Sequence, residues 1–384
     1  MIKRSSVLVF LSGVTLLGAS SLEAQNPVDA TANIVSDGET NSFVPRPDAA
    51  KNDVSLEYSF LDKALAYMVL RMGPSTRQGL GRPDPLVGTH HVYGHKSRFR
   101  LEGNRIIFSL LDPEDFAPLA EYRRDLERVG SEVDITSLPR NEQLAYWINL
   151  HNVAVIEQIA AHYPVASPSR IRVGPNKRPL DEARFIEVAG VKLSPKDIRT
   201  AIVYPNWDDP VVMYGFFRGE IGGPSIQRTA YTGANVRALL NESANEFVNS
   251  LRGVEGNGGT LLVSKIYDEA AAFYFPRTEQ DLHAHLAEFA EDDVAAILAR
   301  TSAIETNIYD DAIADLAGGE REPEYNYVDD NNRFRGVRLT ASMRRMLSER
   351  ANKYEKLRDQ GRIGRVIILP GTSSAEEEIA SEVD

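Results

Sequence analysis

Residues 141–163 constrain the fold of this chain more than any other segment, and they read NEQLAYWINLHNVAVIEQIAAHY. An α-helix turns by about 100° per residue, which sorts the apolar side chains of this segment into two arcs. One arc carries Leu144, Ile148, Val155 and Ile159, and the other carries Leu150, Val153 and Ala154. A helix that is apolar on most sides is buried, so the sequence predicts a central helix surrounded by other elements.

Two amide side chains lie on this predicted helix beside its apolar stripe. Asn149 and Asn152 are about 60° apart around the helix axis. A buried amide without a partner costs about 1–3 kcal/mol, so both must be paired. We expect them to bind the backbone of neighbouring segments, with a place in a ligand site as the alternative.

Composition sets the class of protein. The chain has 384 residues, of which 42% are hydrophobic and 26% are charged, so it can form the core of one or two folded units. A net charge of −12 argues against nucleic acid as a partner. The sequence has no cysteine, which excludes disulfides, thiolate nucleophiles, cysteine-ligated zinc and iron–sulfur clusters.

The N-terminus has the pattern of a secretory signal. A start containing Lys3 and Arg4 is followed by an apolar run over residues 7–19 and then by small residues up to Ala24. We expect a signal peptide over residues 1–24, cleaved after Ala24, and a periplasmic or secreted protein. An uncleaved anchor is the alternative, which is disfavoured because no charged stop signal follows the apolar run. From Val54 onward, no run of about 18 apolar residues predicts a transmembrane segment.

The rest of the chain divides by composition. We expect a disordered linker at 25–53, a main domain at 54–300, a C-terminal extension at 301–370 and a disordered acidic tail at 371–384. Short strands mixed irregularly with helices favour an α+β fold: one main domain around the buried central helix, with a helix and a strand in the extension.

Several elements of this fold can be predicted individually. Helices are expected to start near residue 56, at Ser194, at Thr232, at Thr278 and at Thr340, the last of them strongly basic over residues 340–360. Hairpins are expected to pair 97–101 with 105–109 and 184–188 with 191–193. Strands are expected at 211–217 and 365–369.

Four ordered motifs carry a family resemblance. Residues 142–152 read EQLAYWINLHN, residues 162–165 read HYPV, residues 188–198 read VAGVKLSPKDI and residues 263–267 read VSKIY. With these motifs, the segment 119–288 resembles the bacterial family known as domain of unknown function 547 (DUF547).

The resemblance also implies what this chain lacks. Members of the family carry an Ile-Glu-His run in the serine-capped helix, and a His-Phe-Ala strand leading to a loop with two cysteines. Those acid, imidazole and thiol groups are the family's natural catalytic candidates. Here the run reads Ile198-Arg199-Thr200, and residues 213–224 read MYGFFRGEIGGP, so that Arg218 and Gly223 stand at the cysteine positions. Both histidines are also missing, and no catalytic residue can be assigned.

The glycine-rich loop of residues 218–225 is a candidate binding site. Its backbone N–H groups and the Arg218 guanidinium suit a carboxylate or phosphate, which Glu220 would oppose. The alternative, favoured because glycine loops are common, is a tight connection with paired charges. Including the central helix, the candidate ligand-binding residues are Arg218, Glu220, Asn149, His151 and Asn152, with His151 as a candidate acid or base.

The remaining candidates are weaker. His90, His91 and His95 lie close together, but no carboxylate in the cluster completes a zinc site, so a surface loop is favoured and neither metal nor cofactor is expected. His283 and His285, two apart on a helix, cannot chelate one ion.

Trp207 suits stacking on a sugar ring or, as the commoner explanation, a place at the edge of the core. The basic helix suits an acidic partner or anionic lipid, or forms a solvated face, which is favoured.

These observations leave three functional hypotheses. The first is a secreted envelope protein without catalysis that acts by binding or scaffolding, with an unknown protein or a small anionic ligand as partner. The second is a periplasmic hydrolase or transferase that uses groups other than cysteine. The third is a metal-binding module built on His90, His91 and His95.

Overall fold

The computed structural model describes residues 40–47, 54–84, 91–322, 327–329 and 338–363, which belong to one compact unit. The predicted signal peptide, the strand at 365–369, the acidic tail and His90 lie outside the described residues. Among the residues described, no helix combines the length and apolar character needed to cross a membrane.

The central helix is Arg140–Ala161, and every residue from Glu142 to Ile156 is buried. The prediction of a buried central helix is therefore confirmed. The helix Pro113–Glu132 packs along it, and the Tyr146 hydroxyl donates to the Leu126 carbonyl at 3.0 Å. The helix Val236–Val248 also contacts it.

Helices and small sheets together make a mixed α+β fold, as predicted. The α-helices of the described residues are Ser59–Met68, Pro113–Glu132, Arg140–Ala161, Pro195–Asp197, Tyr204–Asn206, Val236–Val248, Ile266–Tyr274, Thr278–Phe289, Asp292–Leu298 and Ala341–Asp359. A π-helix, Ile198–Val203, joins Pro195–Asp197 to Tyr204–Asn206. Short 3₁₀-helices lie at Asn41–Phe43, Phe108–Leu110, Ile135–Ser137, Pro168–Arg170, Leu180–Glu182 and Pro210–Gly215.

The strands form small separate sheets. Two-stranded antiparallel pairs join Val69–Leu70 to Arg105–Ile106, Arg172–Val173 to Arg178–Pro179, Ile186–Val188 to Val191–Leu193, and Tyr327–Asp329 to Arg338–Thr340. In a three-stranded sheet, Thr260–Ser264 pairs antiparallel with Val254–Asn257 and parallel with Ala303–Ile308.

Local sequence signals succeeded where a cap or a tight turn sets the structure. The predicted hairpin at 184–193 is present, with Ala189 and Gly190 both at positive φ in its turn. Ser194 caps the next helix, because its hydroxyl accepts from the Asp197 N–H at 3.0 Å. Thr340 caps Ala341–Asp359 in the same way, at 3.2 Å from the Met343 N–H.

One predicted strand and one predicted hairpin are wrong. Residues 211–217 do not form a strand: the 3₁₀-helix Pro210–Gly215 occupies most of this run and begins where the Asp209 side chain accepts from the Val211 N–H. A short apolar run suits any buried conformation, so its composition did not distinguish the two. Arg105–Ile106 pairs with Val69–Leu70 and not with residues 97–101, which lie in a turn.

The helix Thr278–Phe289 begins at the predicted residue, but Thr278 does not cap it as its spacing to Asp281 had indicated. The Thr278 hydroxyl donates to the Phe275 carbonyl, and the Asp281 carboxylate accepts from the Arg277 N–H, so Arg277 and not Thr278 is the N-cap residue. The helix ends at Phe289, and a second helix, Asp292–Leu298, follows.

The folded unit extends beyond the expected main domain at both ends. Phe43, within the expected linker, is buried with its ring 5.1 Å from that of Trp147. Ala303–Ile308, within the expected C-terminal extension, is a strand of the three-stranded sheet. The C-terminal helix Ala341–Asp359 is anchored by Lys353, whose ammonium donates to the carbonyls of Leu101 and Gly73. The extension is therefore part of the same unit.

Candidate functional site

Asn149 and Asn152 each bind both polar groups of a neighbouring backbone. The Asn149 amide donates to the Tyr231 carbonyl at 2.7 Å and accepts from the Tyr231 N–H at 3.1 Å. The Asn152 amide donates to the Gly215 carbonyl and accepts from the Phe217 N–H, both at 2.9 Å. These contacts attach two loops to the central helix and support the structural role expected for both residues.

His151 lies on the same helix and is fully buried. Its Nε2 lies 2.9 Å from Arg199 Nη1, and its Nδ1 lies 3.0 Å from Asn152 Oδ1. Because a guanidinium only donates, Nε2 must be the acceptor and Nδ1 carries the proton. Burial and the positive charge of Arg199 lower the pKa of His151 to about 3. His151 is therefore neutral, and its one lone pair is already bound.

Arg199 is the centre of a buried polar cluster. It lies in the π-helix Ile198–Val203, a wide turn of a kind often found at functional sites. Its Nε and Nη2 donate to Glu269 at 2.8 and 3.0 Å, and its Nη1 and Nη2 donate to Asp181 at 2.8 and 2.7 Å. Together with the contact to His151, all five guanidinium N–H groups have partners.

Arg218 joins this cluster through Glu269. Its Nη2 donates to Glu269 Oε1 at 2.8 Å, while its buried Nε has no hydrogen-bond partner. Burial alone would raise the pKa of Glu269, but Arg199 and Arg218 outweigh it and lower that pKa to about 2. Arg199 likewise holds the pKa of Asp181 well below its usual range through its charge and two hydrogen bonds.

Glu220 follows Arg218 by two residues in the glycine-rich loop, and its side chain is buried. The Tyr309 hydroxyl donates to its Oε2, and the Ser169 N–H donates to its Oε1 at 3.2 Å. Burial raises the pKa of Glu220 to about 7, a shift that these hydrogen bonds and Arg218 reduce but do not cancel. This carboxyl is the group of the cluster that titrates nearest neutral pH.

Three backbone N–H groups of the glycine-rich loop, those of Ile221, Gly222 and Gly223, are already bound within the protein. The N–H of Ile221 donates to the Ala312 carbonyl and that of Gly222 to the Asp310 carbonyl, both at 2.8 Å. The Gly223 N–H donates to the Glu220 carbonyl at 3.2 Å. Residues 310–312 of a later segment thus bind the loop. This favours the interpretation of the loop as a tight connection and disfavours its interpretation as an anion-binding site.

The close approach at Gly222 gives a direct test of this covering segment. A Cβ atom at Gly222 would lie 2.5 Å from the Asp310 backbone nitrogen, so we expect Gly222→Ala to destabilise the protein by about 2 kcal/mol. Gly259→Ala is the matched control, because a Cβ there meets no atom within 4 Å. Urea unfolding measures both, and equal free energies of unfolding for the two variants would contradict the packing described.

The candidate ligand-binding residues differ in the partners of their side chains. His151, Asn152, Arg199 and Arg218 are linked by contacts, whereas Asn149 binds the loop at Tyr231. Asn149 and Asn152 line a cavity of about 10 Å³, which holds about one water. Sequence reasoning missed Asp181, Glu269 and Tyr309; the signal available was that a buried arginine at position 199 requires carboxylate partners.

The histidine candidates are separated by their environments. His95 is buried with Nε2 against the Asp315 carbonyl, and burial lowers its pKa to about 3, whereas His91 is exposed and its ring contacts Tyr93. Within the described ranges, no three His, Cys, Asp or Glu residues are grouped as a metal site would require. His285 binds the Tyr214 hydroxyl and His283 lies against the Leu298 carbonyl, which agrees with their expected separation.

Trp207 and the basic helix also have partners within the protein. Trp207 is buried, and the Arg140 guanidinium carbon lies 4.7 Å from the centre of the Trp207 ring. This environment favours a packing role for Trp207 over stacking on a sugar. The basic helix directs several cations at the protein itself: Arg345 and Arg350 donate to the carbonyls of Tyr93 and Arg71. These arginine side chains attach the helix to the rest of the protein, so the basic residues of the helix do not form only a solvated face.

Comparison with known proteins confirms the resemblance. Residues 135–248 match the model of the family described as "Protein of unknown function, DUF547". The matched range includes Arg199, Arg218 and Gly223, whereas Glu269 lies beyond it. Neither the curated proteins nor the solved structures gave a significant match.

Proposed function

We propose that this chain is a secreted envelope protein without catalysis that acts by binding or scaffolding. The observation that carries the proposal is the saturation of Arg199, whose five N–H groups all bind Asp181, Glu269 or His151. The position that holds an acid in the family is here the cation of a buried ion-pair cluster. A residue bound in this way supports structure and has no free donor for a substrate.

The other groups near Arg199 support the same proposal. His151 keeps its basic nitrogen in contact with a guanidinium, so it is a poor general base. Arg218 shares Glu269 with Arg199, and a guanidinium does not lose its proton at neutral pH. In the loop where the family carries cysteines, the N–H groups of Ile221 and Gly222 are bound to the carbonyls of Ala312 and Asp310.

Secretion enters the proposal from the sequence. The basic start, the apolar run over residues 7–19 and the small residues before Ala24 support a signal peptide, and hence a periplasmic or extracellular site of action. A cysteine-free chain is compatible with that oxidising compartment, because it has no thiol to be oxidised or mispaired.

One observation favours an enzyme as the second candidate. Glu220 is a buried carboxyl whose pKa is raised to about 7, which is the range in which a general acid or base works best. A hydrolase or transferase would use Glu220 with Tyr309, whose hydroxyl donates to it.

Turnover by the purified protein separates the two candidates. The protein is isolated from the periplasm without a tag and assayed with ester, amide, phosphate and glycoside substrates, beside Glu220→Gln and His151→Asn. We expect no turnover that either substitution removes. Activity that the wild type retains through purification, and that a folded Glu220→Gln variant lacks, would establish the enzyme and overturn the proposal.

A further inference from the structure

An open cleft that no residue of the Arg199 cluster lines lies between residues 76–78, the strand Val254–Asn257 and the end of the helix Asp292–Leu298. Its volume is about 540 Å³, which falls within the range of about 300–1,000 Å³ that is usual for ligand sites. The charged side chains that line it are those of Arg77, Arg98, Glu255, Asp293 and Arg300. Three guanidiniums therefore share the cleft with two carboxylates.

The hydrogen bonds of the Arg77 guanidinium go to neutral carbonyls. Its Nη1 donates to the Asn249 carbonyl at 3.1 Å, and its Nη2 donates to the Val254 carbonyl at 2.8 Å. These carbonyls fix the orientation of the guanidinium but do not neutralise it. Burial lowers the pKa of Arg77, and the surrounding carboxylates, which include Asp293 and Glu255, reduce this shift without cancelling it. The positive charge of Arg77 is therefore incompletely compensated.

Arg98 is instead paired with Glu255. Its Nη2 donates to Glu255 Oε1 at 2.6 Å and its Nη1 donates to Oε2 at 3.2 Å, while its guanidinium carbon lies 4.9 Å from the centre of the Phe99 ring. Two parallel hydrogen bonds of this kind match a guanidinium to a carboxylate. Because both oxygens of Glu255 are bound and the pair has no net charge, Glu255 opposes an anion less than a free carboxylate would.

Arg300 has no partner among the residues that the structure describes. It is exposed, and its side chain forms neither a hydrogen bond nor an ion pair with any of them. A Cβ atom at Gly256 would lie 3.7 Å from Arg300 Nη2, so the guanidinium lies against the strand Val254–Asn257. All five of its N–H groups are therefore available to a ligand.

Asp293 is the carboxylate that opposes an anion in this cleft. It is exposed and, within the described part of the chain, its side chain accepts no hydrogen bond. Once Arg98 and Glu255 are paired, Arg77 and Arg300 remain against Asp293. The cleft therefore has an excess of positive charge and of N–H donors, which an anion with several oxygens would compensate.

We infer that this cleft binds a small molecule that carries two carboxylates on a short chain. A guanidinium matches a carboxylate in shape and charge, and the guanidiniums here come from separate segments around a space far larger than a single ion. One carboxylate accepts from Arg300, and the other accepts from the N–H groups of Arg77 that the carbonyls leave free. The inference rests on the proposed binding role and gives that role a ligand class, at a place other than the glycine-rich loop.

Calorimetric titration of the full chain at neutral pH and constant ionic strength tests this inference, with glutarate as the probe and glutaramide as its neutral counterpart. The two molecules have the same carbon chain, but only glutarate is a dianion at this pH. We expect glutarate to bind with a Kd of about 1 mM. Glutaramide should bind at least about tenfold more weakly, because it lacks the charge-assisted hydrogen bonds to the guanidiniums.

Three variants locate the binding. Arg300→Gln should weaken glutarate binding about fivefold, because it removes a guanidinium that is free to bind the ligand. Asp293→Asn should strengthen binding about twofold, because it removes the opposing charge. Arg170→Gln is the matched control: Arg170 is also exposed and does not line the cleft, so its replacement should leave the affinity unchanged although the net charge changes as in Arg300→Gln.

Three results would overturn the inference. They are the absence of saturable glutarate binding at about ten times the expected Kd, equal affinities of the wild type and a folded Arg300→Gln variant, and binding of inorganic phosphate as tight as that of glutarate. None of these results bears on the turnover assay with Glu220→Gln and His151→Asn, so the failure of this inference is distinguishable from a failure of the proposed function.

Discussion

Replacing Arg199 with methionine is expected to destabilise the protein by about 3–5 kcal/mol. Removal of one partner from a buried ion pair leaves the other charge without compensation, and the loss is of this size in such cases. Here the substitution strands two carboxylates, Asp181 and Glu269, together with the basic nitrogen of His151. Arg218 still binds Glu269, and the Asp181 side chain is 45% exposed, which limits the loss.

Arg237→Met is the matched control for this substitution. Arg237 also forms an ion pair, with Asp209 at 2.8 Å, but both side chains are nearly half exposed. Exposed pairs of this kind contribute less than about 1 kcal/mol. Urea unfolding at neutral pH measures both variants. If Arg199→Met were no less stable than Arg237→Met, the cluster would not be a structural element and the proposed function would lose its main support.

The central helix could be predicted because the determining information is local. Apolar side chains on most sides require burial whatever surrounds the helix, and the two amides at Asn149 and Asn152 then require partners. Their partners, the backbones at Tyr231, Gly215 and Phe217, could not be named, since they lie 63 to 82 residues away in the chain.

The Arg199 cluster could be predicted only in part for the same reason. The resemblance to the family implies that Arg199 stands where members carry an acid, but Glu269 and Asp181 lie 70 and 18 residues from it. The glycine-rich loop was ambiguous because the segment that covers it comes from the expected extension. Composition separated residues 301–370 from the main domain, whereas strand pairing and the buried Lys353 join them.

Acid is expected to destabilise the protein well above the pH at which carboxylate ion pairs fail. Burial lowers the pKa values of His95 and His151 to about 3 and that of His285 to about 4. In the unfolded chain the pKa of histidine is about 6.5, so the unfolded state binds more protons between about pH 6.5 and 4. The free energy of unfolding therefore decreases as the pH is lowered through this window. At about pH 5 each histidine has lowered it by about 2 kcal/mol.

Two buried carboxyls act in the opposite direction. Burial raises the pKa values of Glu220, to about 7, and of Asp315, so the folded state binds protons at these groups before the unfolded chain does. As the pH is lowered from about 7.5 to 5, protonation of Glu220 alone adds about 2 kcal/mol to the free energy of unfolding. The three histidines together contribute about 6 kcal/mol, so the free energy of unfolding still falls by a few kcal/mol over this range.

The substitution His285→Gln measures the contribution of one histidine to this pH dependence. The glutamine amide can still bond to the Tyr214 hydroxyl that contacts His285 Nε2 at 2.9 Å, but it does not titrate. We expect its free energy of unfolding to fall about 2 kcal/mol less than that of the wild type between about pH 7.5 and 5. Replacing His162, which is exposed, with glutamine should leave the wild-type slope unchanged. Urea unfolding at a series of pH values gives both slopes, and parallel slopes for wild type and His285→Gln would show that His285 is not held neutral in the fold.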